Sequence, residues 1–386
     1  MRPDILTSAA PPALATAVGI SVASHLAVYA LTPILSLHMI GIGGSPAQVG
    51  LLFSVFSLVA VVLRPLAGAW IDRQGIRQAL MPGAALIVLS ALGFQAAGQP
   101  GAFIALTAGF GIGYGLVTMA AAVLAASAPP EQRGKALSIY YLAAPVSMAV
   151  AAPLGLWLFR EVGAAANFAG VALLGLAAGA FGLSSRTAMA GAAARGGTRL
   201  WSRGAIPLSA VLVVAAMAQS ALYAFLPLHA AAHGHERDLT WFFGLYSALM
   251  VAFRLGVSRL ADRWGRGQLL VPALLFTAVG FGALVAPPSP LRLALAAALL
   301  AAGSSALYPM LVALVVDRVP DRERGVAMGM VSGAWDLGIF AGSLTLAAVV
   351  EQASLGAAFA ASSALSLLAL GGLVLVERRP AVARAT

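Results

Sequence analysis

Polar positions are sparse along this chain and fall in short bunches. Between them run twelve apolar segments, roughly 13–40, 47–70, 79–97, 101–127, 136–159, 164–184, 205–232, 241–260, 268–286, 291–316, 326–350 and 355–376. Each approaches or exceeds the ~20 residues that an α-helix needs to cross the ~30 Å hydrocarbon layer of a bilayer. Lipid offers no hydrogen-bond partner to a peptide group, so each segment is predicted to be a helix. A membrane β-barrel would show ~10-residue stretches of strict alternation, and these runs do not alternate. The predicted fold class is an all-α membrane protein with twelve transmembrane helices. The longest polar interruption, Ser185 to Gly204, carries Gly191, Gly196, Gly197 and four Arg. It reads as a flexible linker, 186–204, between a six-helix bundle at 1–185 and a second at 205–386.

Composition narrows the class. Of 386 residues, 61% are hydrophobic and 9% charged, whereas a soluble domain carries about 25% charged residues. A soluble enzyme and a disordered chain are excluded on that ground, and a disulfide scaffold by the absence of cysteine. The net charge of +10 suggests nucleic acid only until the positions are read. With the N-terminus placed in the cytoplasm, eighteen of the 23 Lys and Arg fall in cytoplasmic segments. Three (Arg160, Arg237, Arg292) fall outside, and Arg64 and Arg254 lie within spans. This is the positive-inside rule, with both ends cytoplasmic and no nucleic-acid partner. The first apolar run is too long for a signal peptide and is expected to stay as an uncleaved span.

The two halves repeat. Arg64, Gly68, Asp72, Arg73 and Gly75 recur 190 positions later as Arg254, Ser258, Asp262, Arg263 and Gly265. Arg133-Gly134 recurs as Arg324-Gly325, a shift of 191, and His25, Tyr29 and Pro33 return as Gln219, Tyr223 and Pro227, a shift of 194. Parallel repeats related by an axis along the membrane normal imply a pathway between them.

With these motifs the sequence resembles the major facilitator superfamily, and Trp335, Asp336, Leu337 and Gly338 are similar to span 11 of its bacterial efflux-type members. The resemblance covers nearly the whole chain. It departs from drug–proton antiporters in span 4, which has no Arg, and in span 5, where Ala152 to Gly155 only echoes their Gly-Pro signature. The resemblance implies two pseudo-symmetric bundles in a bacterial inner (plasma) membrane. It also implies that Asp72 meets the start of span 11, near Gly325, when the cytoplasmic side is closed. Arg64, Gly68, Asp72, Arg73, Gly75, Arg133, Arg254, Asp262, Arg263 and Arg324 are accordingly expected to form a cytoplasmic gate. Pro33, Pro145, Pro153, Pro227 and Pro309 are expected to mark kinks.

Two titratable groups lie at mid-depth. Asp336 is ten residues, ~15 Å, into span 11, where an ionised carboxylate costs several kcal/mol unless paired or hydrated. Gly329, Ser332, Asp336 and Ser343 share its helical stripe. His25 lies on a stripe with Ser21, Tyr29, Thr32 and Ser36, which suits a polar cavity better than lipid. Asp336 and His25 are the candidates for proton coupling. Tyr29, Gln219, Tyr223, Tyr114, Met119, Tyr308, Ser332 and Trp335 are the candidates for the cavity wall. His229, His233 and His235 are the one metal-like cluster, but they sit where a helix runs into an outer loop. Solvated helix-end residues are the simpler reading, and no metal or other cofactor is expected.

The expected function is secondary transport of a small molecule by alternating access, proton-coupled, with one chain sufficing as the transport unit. Export of an apolar or amphipathic compound is favoured. Proton-driven uptake of a sugar, organic acid or metal chelate is the alternative. A membrane-embedded enzyme or non-transporting receptor is the alternative from another class. A strongly anionic substrate is disfavoured, because no central Lys or Arg stands out.

Overall fold

The computed structural model describes residues 12–128, 130–184, 202–320 and 323–378. Within them lie thirteen helices and no strand. The first half holds α1 (Pro12–Gly41), α2 (Pro46–Gln74), α3 (Ile76–Ala96), α4 (Pro100–Ala126), α5 (Pro130–Glu161) and α6 (Ala164–Ser184). The second holds α7 (Ile206–Ala224), α8 (Leu226–Ala232), α9 (Asp238–Trp264), α10 (Arg266–Ala283), α11 (Pro290–Arg318), α12 (Arg324–Gln352) and α13 (Leu355–Arg378). Eleven spans are long and apolar enough to cross a bilayer, one of them made of α7 and α8 together, while the apolar stretch of α10, Gly267–Ala283, is shorter. Thus α9 to α13 correspond to predicted spans 8 to 12. Exposed Leu89, Leu173, Leu291, Leu368 and Leu375 give the bundle an apolar outer surface suited to lipid rather than water.

Local chemistry sets the helix starts. Pro46, Pro100 and Pro290 open α2, α4 and α11, where a missing N–H costs nothing. Ser45 and Gln48 form a reciprocal capping box at the start of α2. The run predicted as one helix over 205–232 breaks at Phe225. Pro227 explains the break: it has no N–H, and its ring collides with the carbonyl of the residue four before it, Tyr223. The freed Tyr223 carbonyl accepts a hydrogen bond from Ser36 Oγ of α1 at 3.5 Å.

Connections are short, so successive helices run antiparallel. One end of the bundle, where α6 ends at Ser184 and α7 begins at Ile206, is called here the linker end; the other, with residues 42–45 and 233–237, is the far end. The internal repeat is visible in backbone geometry. Gly75 and Gly265 join α2 to α3 and α9 to α10 with φ/ψ of 90°/161° and 84°/149°, a region that only glycine enters without strain. Pro82 and Pro272 lie inside α3 and α10, again 190 apart.

Side-chain packing repeats too. A β-carbon on Gly113 of α4 would stand 2.6 Å from the Gly83 carbonyl of α3, and one on Gly303 of α11 would stand 2.6 Å from the Ala273 carbonyl of α10. Both positions of the pair are shifted by 190. The pairings α1–α5, α3–α4, α3–α6 and α2–α4 of the first half reappear as α7–α12, α10–α11, α10–α13 and α9–α11. The halves meet through α2 against α12 and α5 against α9, contacts that exchange under the same two-fold relation. Small residues carry these approaches, since lipid gives apolar side chains little reason to leave it and close contact must supply the attraction.

Candidate functional site

The centre of the molecule is built from residues that the repeat relates. Tyr29 of α1 and Tyr223 of α7 lie within electrostatic reach of one another, as equivalent residues near a two-fold axis must. Around Tyr223 runs a hydrogen-bonded set: Gln219 Nε2 donates to Ser304 Oγ at 2.6 Å, and the Tyr246 hydroxyl interacts with Tyr223, Gln219 and Ser304. Gln219 itself is 1% exposed. On the next helix, Tyr308 shares a hydroxyl–hydroxyl bond of 3.1 Å with Ser332 of α12 and stands edge-on to Trp335, ring centroids 5.6 Å apart. Half-buried Asp336 follows on α12, twelve residues or ~18 Å from the start of that helix.

The first half contributes a different surface. His25 Nδ1 lies 2.7 Å from the Ser21 carbonyl. A carbonyl only accepts, so Nδ1 carries the hydrogen and Nε2 is where a further proton would add. Tyr114 of α4 stands edge-on to the His25 ring at 5.7 Å and beside Phe56 of α2 at 5.9 Å. Met119, half-buried on α4, packs against the apolar core. The predicted stripe on α1 is exposed only in its middle: His25, Tyr29 and Thr32 are half-buried, whereas Ser21 and Ser36 are buried.

Arg254 differs from expectation. A gate residue or an interfacial snorkeller would turn toward the linker end of α9. The described groups acting on it are the hydroxyls of Tyr29, Tyr246 and Tyr308, while the side chains of its expected partners Asp72 and Asp262 lie outside the described residues. Long helical side chains lean toward the helix N-terminus, and for α9 that direction leads to the centre. Phe242, Tyr246, Met250 and Arg254, spaced by four, form the inner face of this helix. Neither Tyr246 nor Ser304 stood out in the sequence. The repeat could have found both, because subtracting 190 gives Phe56 and Tyr114, which also lie at the centre.

The two ends are built differently. At the far end Gly50 of α2 is packed against Ser343 and Ala347 of α12, and Ser54 Oγ donates to the Phe340 carbonyl at 3.0 Å. Gly244 of α9 lies against Pro153 of α5, and Arg160 of α5 pairs with Glu236 at 3.5 Å across the two halves. Toward the linker end a β-carbon on Gly68 of α2, Gly256 of α9 or Gly329 of α12 would meet no neighbour among the described residues.

Of the far-end histidines, the rings of His229 and His233 stand edge-on 4.8 Å apart, while His235 turns to another partner. His235 Nδ1 is 2.7 Å from Asp238 Oδ2, and Trp241 donates to the other carboxylate oxygen. His233 Nδ1 bonds the His229 carbonyl at 2.9 Å, and buried His229 packs on Phe359.

The family model of the Major Facilitator Superfamily matches residues 17–236 and 208–386. The chain belongs to this superfamily. Within it, the chain is 33% identical over 106 residues to an uncharacterized MFS-type transporter of Salmonella typhimurium, a match covering 26% of this chain and 27% of that protein. The nucleoside transporter NupG, in a point-mutant form, has a similar fold: TM-score 0.77, 11% identity, 94% of this chain and 99% of that one. So do a point mutant of the peptide transporter POT (0.76, 14%, 94% and 94%) and the human organic anion transporter MFSD10 (0.67, 19%, 94% and 99%). At such identities the likeness concerns the superfamily's fold alone. The protein is a multi-pass membrane protein of a transporter superfamily.

The superfamily's signature loop is seen in part. Gly75 has the positive φ that the turn requires, Arg73 is exposed, and Arg324 is exposed in the first turn of α12. The side chains of Arg64, Asp72, Arg133, Asp262 and Arg263 lie outside the described residues, as does the expected contact between Asp72 and Gly325. Gly68, expected to permit close helix approach, meets no neighbour among the described residues.

Proposed function

We propose that this protein is a secondary active transporter that moves a small molecule across the membrane by alternating access, and that it is seen with its central site open toward the linker end. The observation that carries this reading is the packing of the two halves at the far end, where Gly50 meets Ser343 and Ala347, Ser54 bonds the Phe340 carbonyl and Arg160 pairs with Glu236, while Gly68, Gly256 and Gly329 toward the other end meet no neighbour among the described residues. The Arg and Lys distribution supports a cytoplasmic linker end, so the open side is the inward one. All twelve predicted spans cross the membrane in this reading, α10 as the shortest.

Protons are the coupling ion in this proposal, with Asp336 as the principal carrier and His25 as a second. Protonating a mid-depth carboxylate removes the cost of its charge, and a group whose surroundings differ between two states biases the balance between them. The transported compound is amphipathic: the centre offers both aromatic rings, Phe56, Tyr114 and Trp335, and hydroxyl and amide groups, Gln219, Ser304, Tyr308 and Ser332. Export is the favoured direction, on the span-11 resemblance. Uptake of an organic acid is the second reading, favoured by Arg254 at the centre.

The cysteine-free chain makes the test direct. Arg160→Cys with Glu236→Cys places two thiols across the far-end seam. A short, reducible bifunctional thiol reagent bridging them is expected to cut flux in proteoliposomes at least tenfold, and a reductant is expected to restore it. Flux that continues at the full rate with the seam bridged would show that the bundles need not part there and would refute alternating access.

A further inference from the structure

Arg254 is an expensive residue to keep where it is. Among the described side chains every other Arg or Lys lies at a helix end or in a loop, whereas Arg254 is half-buried seventeen residues into the 27-residue α9. The described groups acting on it are three neutral phenols from three helices: Tyr29 of α1, Tyr246 of α9 and Tyr308 of α11. A guanidinium carries five N–H donors in a planar fork that fits a carboxylate, and phenol oxygens do not neutralise its charge. Removing a cation from water is recovered only when a counter-charge arrives.

The surroundings suit one anion with an apolar body. Tyr308 is already oriented by Ser332, and Tyr246 by Tyr223, Gln219 and Ser304, so the hydroxyls beside the guanidinium are held in place before anything binds. Trp335 packs edge-on against Tyr308, and in the first half Tyr114 packs beside Phe56 and His25. We infer that Arg254, on the same face of α9 as Tyr246 and within electrostatic reach of Tyr29 and Tyr308, receives the carboxylate of an amphipathic monoanion whose apolar part rests on the rings of Trp335 and Tyr114. The sequence disfavours strongly anionic substrates and keeps an organic acid as an alternative; Arg254 selects that class. Such binding deepens the transport reading and rests on it for the site's role, without depending on the direction of transport.

The test separates charge recognition from mere support of the fold. Binding of naphthylacetate and of its neutral amide, naphthylacetamide, is measured on the purified full-length protein by tryptophan fluorescence and by thermal shift. The wild type is expected to bind the acid at least tenfold more tightly than the amide. Arg254→Gln is expected to erase that preference by weakening the acid tenfold or more while changing the amide less than twofold. Arg254→Lys, which keeps the charge and loses the fork, is expected to fall between. Equal binding of acid and amide by the wild type, binding of neither, or an equal loss of both in Arg254→Gln overturns the assignment. None of these outcomes touches the cross-linking test of alternating access, so the two ideas fail separately.

Discussion

Asp336→Asn is expected to abolish accumulation of substrate driven by an imposed pH gradient, while exchange of substrate across the membrane at equal pH continues. Each unit of pH difference supplies about 1.4 kcal/mol per proton, a tenfold concentration ratio. A variant that cannot carry the proton forfeits that factor for every unit imposed. The substitution keeps side-chain size and hydrogen-bonding capacity, and it removes a charge that costs ~2.5–3.5 kcal/mol at a helix centre. The protein should therefore be extracted and purified as well as the wild type. Proteoliposome flux at two values of the pH difference, with thermal stability as the control, checks it. Accumulation that still follows the gradient would move the coupling role away from Asp336, with His25 Nε2 the next position to examine.

The second large effect concerns folding. Gly303→Leu is expected to destabilise the second bundle by about 3 kcal/mol or more, seen as a collapse in the yield of monodisperse detergent-extracted protein and a marked fall in Tm. Overpacking a core commonly costs ~1–3 kcal/mol. Here the added side chain is directed at the backbone carbonyl of Ala273 and at Thr277 of α10, neither of which can swing aside as a flexible side chain would. Gly113→Leu should have a similar effect in the first bundle, through the Gly83 carbonyl. Gly371→Ala is the matched control. Gly371 faces open space on α13, and alanine there should match or exceed wild-type stability, since it is favoured over glycine in a helix by up to about 1 kcal/mol. If Gly303→Leu is as stable as wild type, close backbone approach is not what holds α10 to α11.

Much of this architecture is legible in the sequence because lipid enforces it. A peptide group with no water must bond within its own helix, so apolar length alone gave the spans, and the 190-residue offset gave the pairing of the halves. Tyr29, Gln219 and Tyr223 were placed at the centre by that same logic. That Arg254 lies within reach of Tyr29, Tyr246 and Tyr308 was not foreseen, because its distance along the chain from Asp262 says nothing about which way a long side chain leans. Tyr246 was passed over because an aromatic residue in an apolar run reads as core until its hydroxyl partners on α7 and α11 are known. The break at Phe225 was foreshadowed by Pro227, but not that Ser36 would take up the released carbonyl. Under the proposed alternating access, which end stands open is not written in the sequence at all, since one chain must encode both arrangements with nearly equal free energy.

Tyr223 has two jobs in one residue. Its phenol belongs to the polar cluster at the heart of the molecule, and its main-chain oxygen, set free by the proline four positions on, staples the second lobe to the first through Ser36. In the proposed transport cycle, a guest that draws the ring aside strains the staple, so news of an arrival has only the width of a single amino acid to travel before it reaches the seam that has to part.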